Sequence, residues 1–187
     1  MERADEIELM RLAGSGDARA FRSLSDHFLP KIVAYAQRLL GRAAEAEDVA
    51  QETFLRLWQN TTRWSPDARL ATWLFRVAHN LAVDRLRARR EVGGAALEHV
   101  LAEDRPSGLL QRKQVASAVE SALLALPERQ RAAIALCHYE GLGNPEIAAV
   151  LDVSVEAVES LLSRGRRALR EKLTGVHAQH QTEGEGS

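Results

Sequence analysis

The chain has 187 residues, 45% apolar and 27% charged, a composition that excludes a collagenous or wholly disordered polypeptide and allows one medium domain or two small ones. Twenty-five basic side chains stand against 26 acidic ones, so the net charge is −1 and nucleic acid cannot be coated by bulk attraction; any such binding must come from local patches. No apolar run approaches the roughly 20 residues that cross a bilayer, which argues against membrane insertion. The opening MERADEIELM has no charged-then-apolar secretory pattern, so a cytoplasmic protein is expected. The single cysteine, Cys137, offers no internal disulfide, and no Cys/His cluster supplies a metal set. No metal site and no cofactor are therefore expected.

Apolar positions recur every three and four residues along most of the chain, and no stretch alternates in the manner of a strand, so the fold is expected to be all-α. A lead helix is predicted around Ile7 to Ala13. Gly14-Ser15-Gly16 breaks it, and Asp17 can cap a longer helix with the stripe Phe21, Leu24, Phe28, Ile32, Ala36 and Leu39. Gly41 is placed to end that helix in a left-handed conformation, and Pro30 within it predicts a kink or a restart. The next helix, about Ala44 to Asn60, has Val49, Ala50, Phe54 and Leu57 on one face. Its other face carries Asp48, Gln51, Glu52, Leu55 and Trp58. Thr61 to Arg69 reads as a loop around Ser65-Pro66-Asp67.

A helix from about Leu70 to Arg90 then buries Leu74, Val77, Ala78 and Leu81, and shows Arg76, Asn80, Val83 and Arg87 outward. It ends in the basic cluster Arg85, Arg87, Arg89 and Arg90. From Gly93 to Gly108 the residues become small and acidic, with glycine at both ends, which predicts a flexible joint. Two small helical domains, 1–92 and 109–174, are thus expected around a linker at 93–108, with a disordered tail at 175–187.

In the rear half, helices are predicted from about Leu109 to Ala125 and from Pro127 through His138. Asn144 can cap a short apolar helix beginning at Pro145, Asp152-Val153 makes a turn, and Ser154 can cap a longer helix. The core stripe of that helix is Val158, Leu162, Gly165 and Leu169, leaving Glu156, Glu159, Ser160, Ser163, Arg164 and Arg167 outward. Short helix, tight turn and long helix make a helix-turn-helix, whose second helix reads base edges near its start. The positive residues Arg164, Arg166, Arg167, Arg170 and Lys172 cluster farther along, where phosphates are held. Two amphipathic helices packed in a plain bundle give the same pattern, and only its combination with the rest of the chain separates the two readings.

The segments AEDVAQETFLRLW, TWLFRVAHNLAVDRLR and LPERQRAAIALCHYEGLGNPEIAAVLDVSVEAVESLLSRGRRALR, in this order around the joint, resemble the extracytoplasmic-function sigma factors of bacterial RNA polymerase. The resemblance covers about Ala20 to Arg170. It implies a promoter-specificity subunit with no catalytic chemistry of its own. Such a subunit binds core RNA polymerase, recognises the −35 element with its rear domain and opens the −10 element with its front one. An inhibitory anti-sigma factor is a further partner the family implies, and a stress response a further setting. No small-molecule substrate is implied.

Carried over by motif, Asp48, Gln51, Glu52, Leu55 and Trp58 match the core polymerase-binding segment. Trp64 and Arg69 belong to the loop that matches base capture, and Arg76, Asn80, Arg87 and Arg90 to the −10 helix. Trp73 is a further −10 candidate, although its place beside the buried stripe favours core over platform. Holding unstacked bases and their strand favours aromatics, amides and arginines together, which these residues supply. On the −35 side the candidates are Glu156, Glu159, Ser160, Ser163, Arg164 and Arg167. Family members commonly carry basic residues where this chain has Glu159 and Leu161, which puts two DNA contacts in question and suggests a distinct −35 sequence. Glu159 could accept from a cytosine amino group instead.

Two other classes compete. A two-domain regulator with a sensing front half would need a phosphoacceptor, ligand motif or dimerising heptad, and none is present. An enzyme would need a nucleophile or metal set beside one of the six histidines, which are scattered. His79 and Cys137 are expected to be packing residues, or, for His79, solvated.

Overall fold

The computed structural model describes residues 1–64, 69–91 and 110–182. Eight helices lie among them, with no strand: α1 (Arg3–Gly14), α2 (Ala18–Leu40), α3 (Ala43–Asn60), α4 (Leu70–Glu91), α5 (Leu110–Leu124), α6 (Glu128–His138), α7 (Asn144–Leu151) and α8 (Val155–Thr182). The joint expected at 93–108 lies outside the described residues, as do residues 65–68 of the expected loop and 183–187.

Local chemistry accounts for most helix ends. The Asp17 carboxylate accepts from the Arg19 and Ala20 amides at 2.8 and 3.3 Å and so opens α2. Gly41, at φ 70°, closes it by donating to the Gln37 carbonyl at 2.8 Å. Ser154 Oγ accepts from the Ala157 amide at 3.2 Å at the start of α8. Helix α1 begins earlier than expected because Asp5 turns back to accept from the Glu2 amide at 3.2 Å.

Several expectations are corrected. Helix α2 does not restart at Pro30; it continues from Ala18 to Leu40, with buried residues on both sides of the proline anchoring it to the core. The cap of α7 is Gly143 and not Asn144, because the Glu146 carboxylate accepts from the Gly143 amide at 2.9 Å. The inward face of α4 is Leu70, Leu74, Phe75, Ala78, His79 and Ala82, with Val77 and Leu81 only half-buried. Residues 175–182 continue α8 rather than opening a tail; Gly175 costs a helix about 1 kcal/mol against alanine, and no proline follows.

Helix α2 is the central element, packed by α1, α3 and α4. Leu24, Ile32, Tyr35, Ala36 and Leu39 on it are fully buried, and each large apolar side chain so buried contributes about 1.5–3 kcal/mol. In the rear half, α6 and α7 pack on α8. A Cβ on Gly165 would sit 2.9 Å from Ile134 Cγ1, so α8 approaches α6 more closely than any other residue would permit. The halves also pack on each other, α7 against α4 and α5 and α6 against α2, and their apolar residues join in one core.

Candidate functional site

Three exposed faces carry the residues singled out in the sequence. On α3, Asp48, Gln51, Leu55 and Trp58 are exposed and Glu52 is half-exposed. Leu55 and Trp58 show 51% and 48% of their surface, a large apolar area for a helix otherwise rimmed by charge. A shallow groove runs between α3 and α4, lined by Asp48, Gln51, Glu52, Leu55, Arg56, Leu81 and Arg85. Arg56 pairs with Glu52 at 2.9 Å and Arg85 with Asp48 at 3.8 Å, so the acids are held against the groove walls. Trp58 is neither free nor core: Phe21 meets its ring edge-to-face at 4.8 Å, fixing its plane while leaving the outer half open.

On α4, Arg76, Asn80 and Arg87 are exposed on one side of the helix, as the three- and four-residue spacing requires. Arg87 reaches Asp84 only at 4.0 Å, with both side chains about two-thirds exposed or more. Trp64 and Trp73 are half-buried and pack against the core, which leaves each with part of a ring for stacking rather than a full platform. Arg69 precedes the first turn of α4, and Glu6 of α1 is buried beside it. The Glu6 carboxyl bonds the Leu70 backbone amide; burial raises its pKa, against the pull of Arg69. A residue from the start of the chain therefore caps α4, a role its position in sequence gave no signal for.

Beneath this face, His79 is buried rather than solvated. Its Nδ1 lies 3.0 Å from the Tyr35 hydroxyl, and burial, with Arg129 nearby, lowers its pKa to about 4. The ring is thus neutral at physiological pH and belongs to the core.

On α8, Glu156, Glu159, Ser160, Ser163, Arg164 and Arg167 are all exposed and share the outer side of the first four turns. Arg164 Nε donates to the Ser160 carbonyl at 3.2 Å, and Arg167 lies 3.8 Å from Glu171, so these guanidinium groups lie along the helix surface. The Glu156 carboxylate accepts from its own backbone amide and from Ser154, which holds it below the usual range. Leu161 is 8% exposed and packs in the core, so of the two positions in question only Glu159 can face a ligand. Asp152, at φ 53°, makes the turn that sets α8 against α7. Cys137 is half-buried, 3.9 Å from Arg166 Nη2, whose Nε donates to His138 Nε2 at 3.1 Å.

Sequence reasoning missed the seam between the halves. Arg38 of α2 pairs with Glu140 at 3.3 Å and stacks 3.9 Å from the Tyr139 ring. Arg69 pairs with Glu146 at 3.0 Å, and Arg90 with Glu128 at 3.1 Å. Arg131 of α6 is buried; one arm donates to the Leu124 carbonyl at 2.9 Å while its Nε has no partner. Among the described residues no group of acids, histidines and cysteines could hold a metal ion, and no helix is long and apolar enough to cross a membrane.

Comparisons with known proteins match this arrangement. The family model described as Sigma-70 region 2 covers residues 24–92, and that described as Sigma-70, region 4, covers 116–169. The chain is 33% identical over 170 residues to the ECF RNA polymerase sigma factor SigW of Bacillus subtilis (strain 168), spanning 84% of this chain and 91% of that one. It is 36% identical over 165 residues to SigL of Mycobacterium tuberculosis, with coverage of 84% and 91%. Among solved structures, CnrH in complex with the cytosolic domain of CnrY has a TM-score of 0.70 at 29% identity, over 91% of this chain and 98% of that one. The sigma factor RpoE of Bartonella quintana, in complex with the anti-sigma factor NepR, has the same TM-score at 27% identity, over 84% and 98%. With both promoter-reading regions present in order on this helical frame, the chain belongs to the ECF RNA polymerase sigma factor family.

Proposed function

We propose that this sigma factor directs promoter-specific initiation by dividing three tasks among three helix faces. The α3 face grips core RNA polymerase: Leu55 and Trp58 provide the desolvated centre, and Asp48, Gln51 and Glu52 the polar rim that meets basic partner residues. The α4 face, with Trp64, Arg69, Trp73, Arg76, Asn80, Arg87 and Arg90, takes the −10 element, arginines on phosphates and the amide and half-open rings on unstacked bases. The α8 face docks in the major groove at the −35 element, with Glu156, Glu159, Ser160 and Ser163 near base edges and Arg164 and Arg167 on the backbone.

The observation that carries this reading is the exposed pair Leu55 and Trp58 on a helix adjoining the arginine and asparagine stripe of α4. It supports one continuous surface on which polymerase and the opened strand meet the same domain. On this reading the working units are 1–92 and 109–174, and the protein acts in the cytoplasm, held in check by an anti-sigma factor that covers the same faces. Because net charge is −1, free protein should hold duplex DNA weakly and rely on polymerase for the rest of the binding surface. Adding purified protein to core polymerase should convert nonspecific initiation into discrete promoter-directed transcripts. Cross-linking in the initiating complex should then place Asn80 and Arg164 against DNA; both lying far from it would end this assignment of faces.

A further inference from the structure

A −10 and a −35 element are separated by about 25 base pairs, or roughly 85 Å of duplex axis at 3.4 Å per step. Here α7, the first helix of the helix-turn-helix, packs directly on α4, the −10 helix. The two halves cannot read both elements while they touch. What holds them together is unusual in one respect: two of the basic residues assigned to DNA are occupied by carboxylates of the other half. Arg69 Nη1 meets Glu146 Oε1 at 3.0 Å, and Arg90 Nη2 meets Glu128 Oε2 at 3.1 Å. On each pair the acid is the more covered partner, 26% and 17% exposed against 53% and 70% for the arginines. The guanidinium groups stay open to solvent on their outer sides while one arm of each meets a fixed anion, which is the contact a phosphate would otherwise make.

We propose that Glu128 and Glu146 act as built-in phosphate substitutes, so that the rear half of the free protein competes with single-stranded DNA for Arg69 and Arg90. The proposal rests on the assignment of those arginines to the −10 strand. It explains why the acids lie at these positions. Glu146 opens α7 through the Gly143 amide and uses its second oxygen on Arg69; Glu128 stands in the first turn of α6 and reaches Arg90. Each acid is fixed at a helix start where the dipole favours its charge, and so is preorganised for an arginine from the other half. The third pair, Arg38 with Glu140, closes the same seam without involving an assigned DNA contact. Opening the seam releases both arginines at once, coupling separation of the halves to exposure of the strand-binding surface.

The test uses the full chain and a fluorescein-labelled single-stranded dT12, a probe that reads arginine–phosphate contact without base preference. Glu128→Gln/Glu146→Gln keeps the shape of both side chains and a hydrogen-bond acceptor for the Gly143 amide. It should bind the probe roughly three- to tenfold more tightly than the unaltered chain, the range that two partly exposed ion pairs supply. The control Glu8→Gln/Asp26→Asn, which removes the same charge away from the seam, should gain much less, and adding Arg69→Ala/Arg90→Ala to the seam variant should abolish the gain. Equal affinities for the seam variant and the control would overturn the proposal, as would a gain that survives loss of both arginines. The underlying assignment fails separately: if holoenzyme carrying Arg69→Ala/Arg90→Ala opens its promoter as well as the unaltered one, these arginines do not serve the −10 strand, whatever dT12 reports.

Discussion

Arg69 and Arg90, at the two ends of α4, and the arginines of α8 are the same chemistry in different company. Arg164 and Arg167 find partners within one turn of their own helix, the Ser160 carbonyl and Glu171, and remain exposed. Arg69 and Arg90 find theirs in the other half of the molecule. A basic residue with a local partner keeps its surroundings when domains separate, whereas one with a distant partner changes them completely. The proposed rear DNA-reading face therefore keeps its pairings when the halves part, whereas on the proposed front face Arg69 and Arg90, unlike Arg87 with its local Asp84, depend on how the halves sit.

The most severe way to break this comparison is to remove the surface proposed to recruit the front half to polymerase. Leu55→Asp with Trp58→Ala should reduce competition for core polymerase by more than 100-fold, since buried anchors of this kind carry about 2 kcal/mol or more each. Helix content should be unchanged, because both side chains are about half exposed. Retained competition would remove α3 from the polymerase contact.

Acid should loosen the front half through His79. Its folded pKa of about 4 lies below the ordinary value of 6.5, so the unfolded chain takes up the proton first. The stability involved is fully present above pH 6.5 and is lost as pH falls from there toward 4, by about 3 kcal/mol. The Glu6 and Glu140 carboxyls, raised mainly by burial, oppose this by favouring the folded state as they protonate. Denaturant midpoints measured across that window should flatten in His79→Gln; an unaltered slope would place the titration elsewhere.

In the rear half, Gly165→Val should cost about 1–3 kcal/mol by thermal melting, because its side chain must displace Ile134. The smallest effect is also the most selective. Glu159→Lys should alter base preference at a single −35 position by about 1–3 kcal/mol, read by selecting binding sites from a randomised upstream element. An unchanged profile would remove Glu159 from the readout. Together these variants ask whether the rear face works independently of the seam, as its local pairing implies.

The sequence made the helices and their faces legible because those depend on neighbours within one or two turns. Asp17, Gly41 and Ser154 act at the helix ends where their chemistry placed them. The outward residues of α3, α4 and α8 are outward because a 3.6-residue period puts them opposite the buried stripe. What failed involves partners distant in the chain. Asn144 is a good capping residue, yet Glu146 reaching back to Gly143 moved the helix start by one position. At Leu161 the family resemblance implies a basic residue facing DNA, but the leucine lies beside the Val158 and Leu162 stripe and is drawn into the core. Glu6, Arg38 and Arg131 carried no local signal at all, since their partners stand on other helices, or, for Arg131, beyond its own.

The contact of Glu6 with the first amide of α4 ties the opening residues of the polypeptide to the exit of the loop between α3 and α4. A protease that clipped α1, or a fusion partner that unwound it, would leave the proposed strand-opening face chemically whole but untethered at its leading edge.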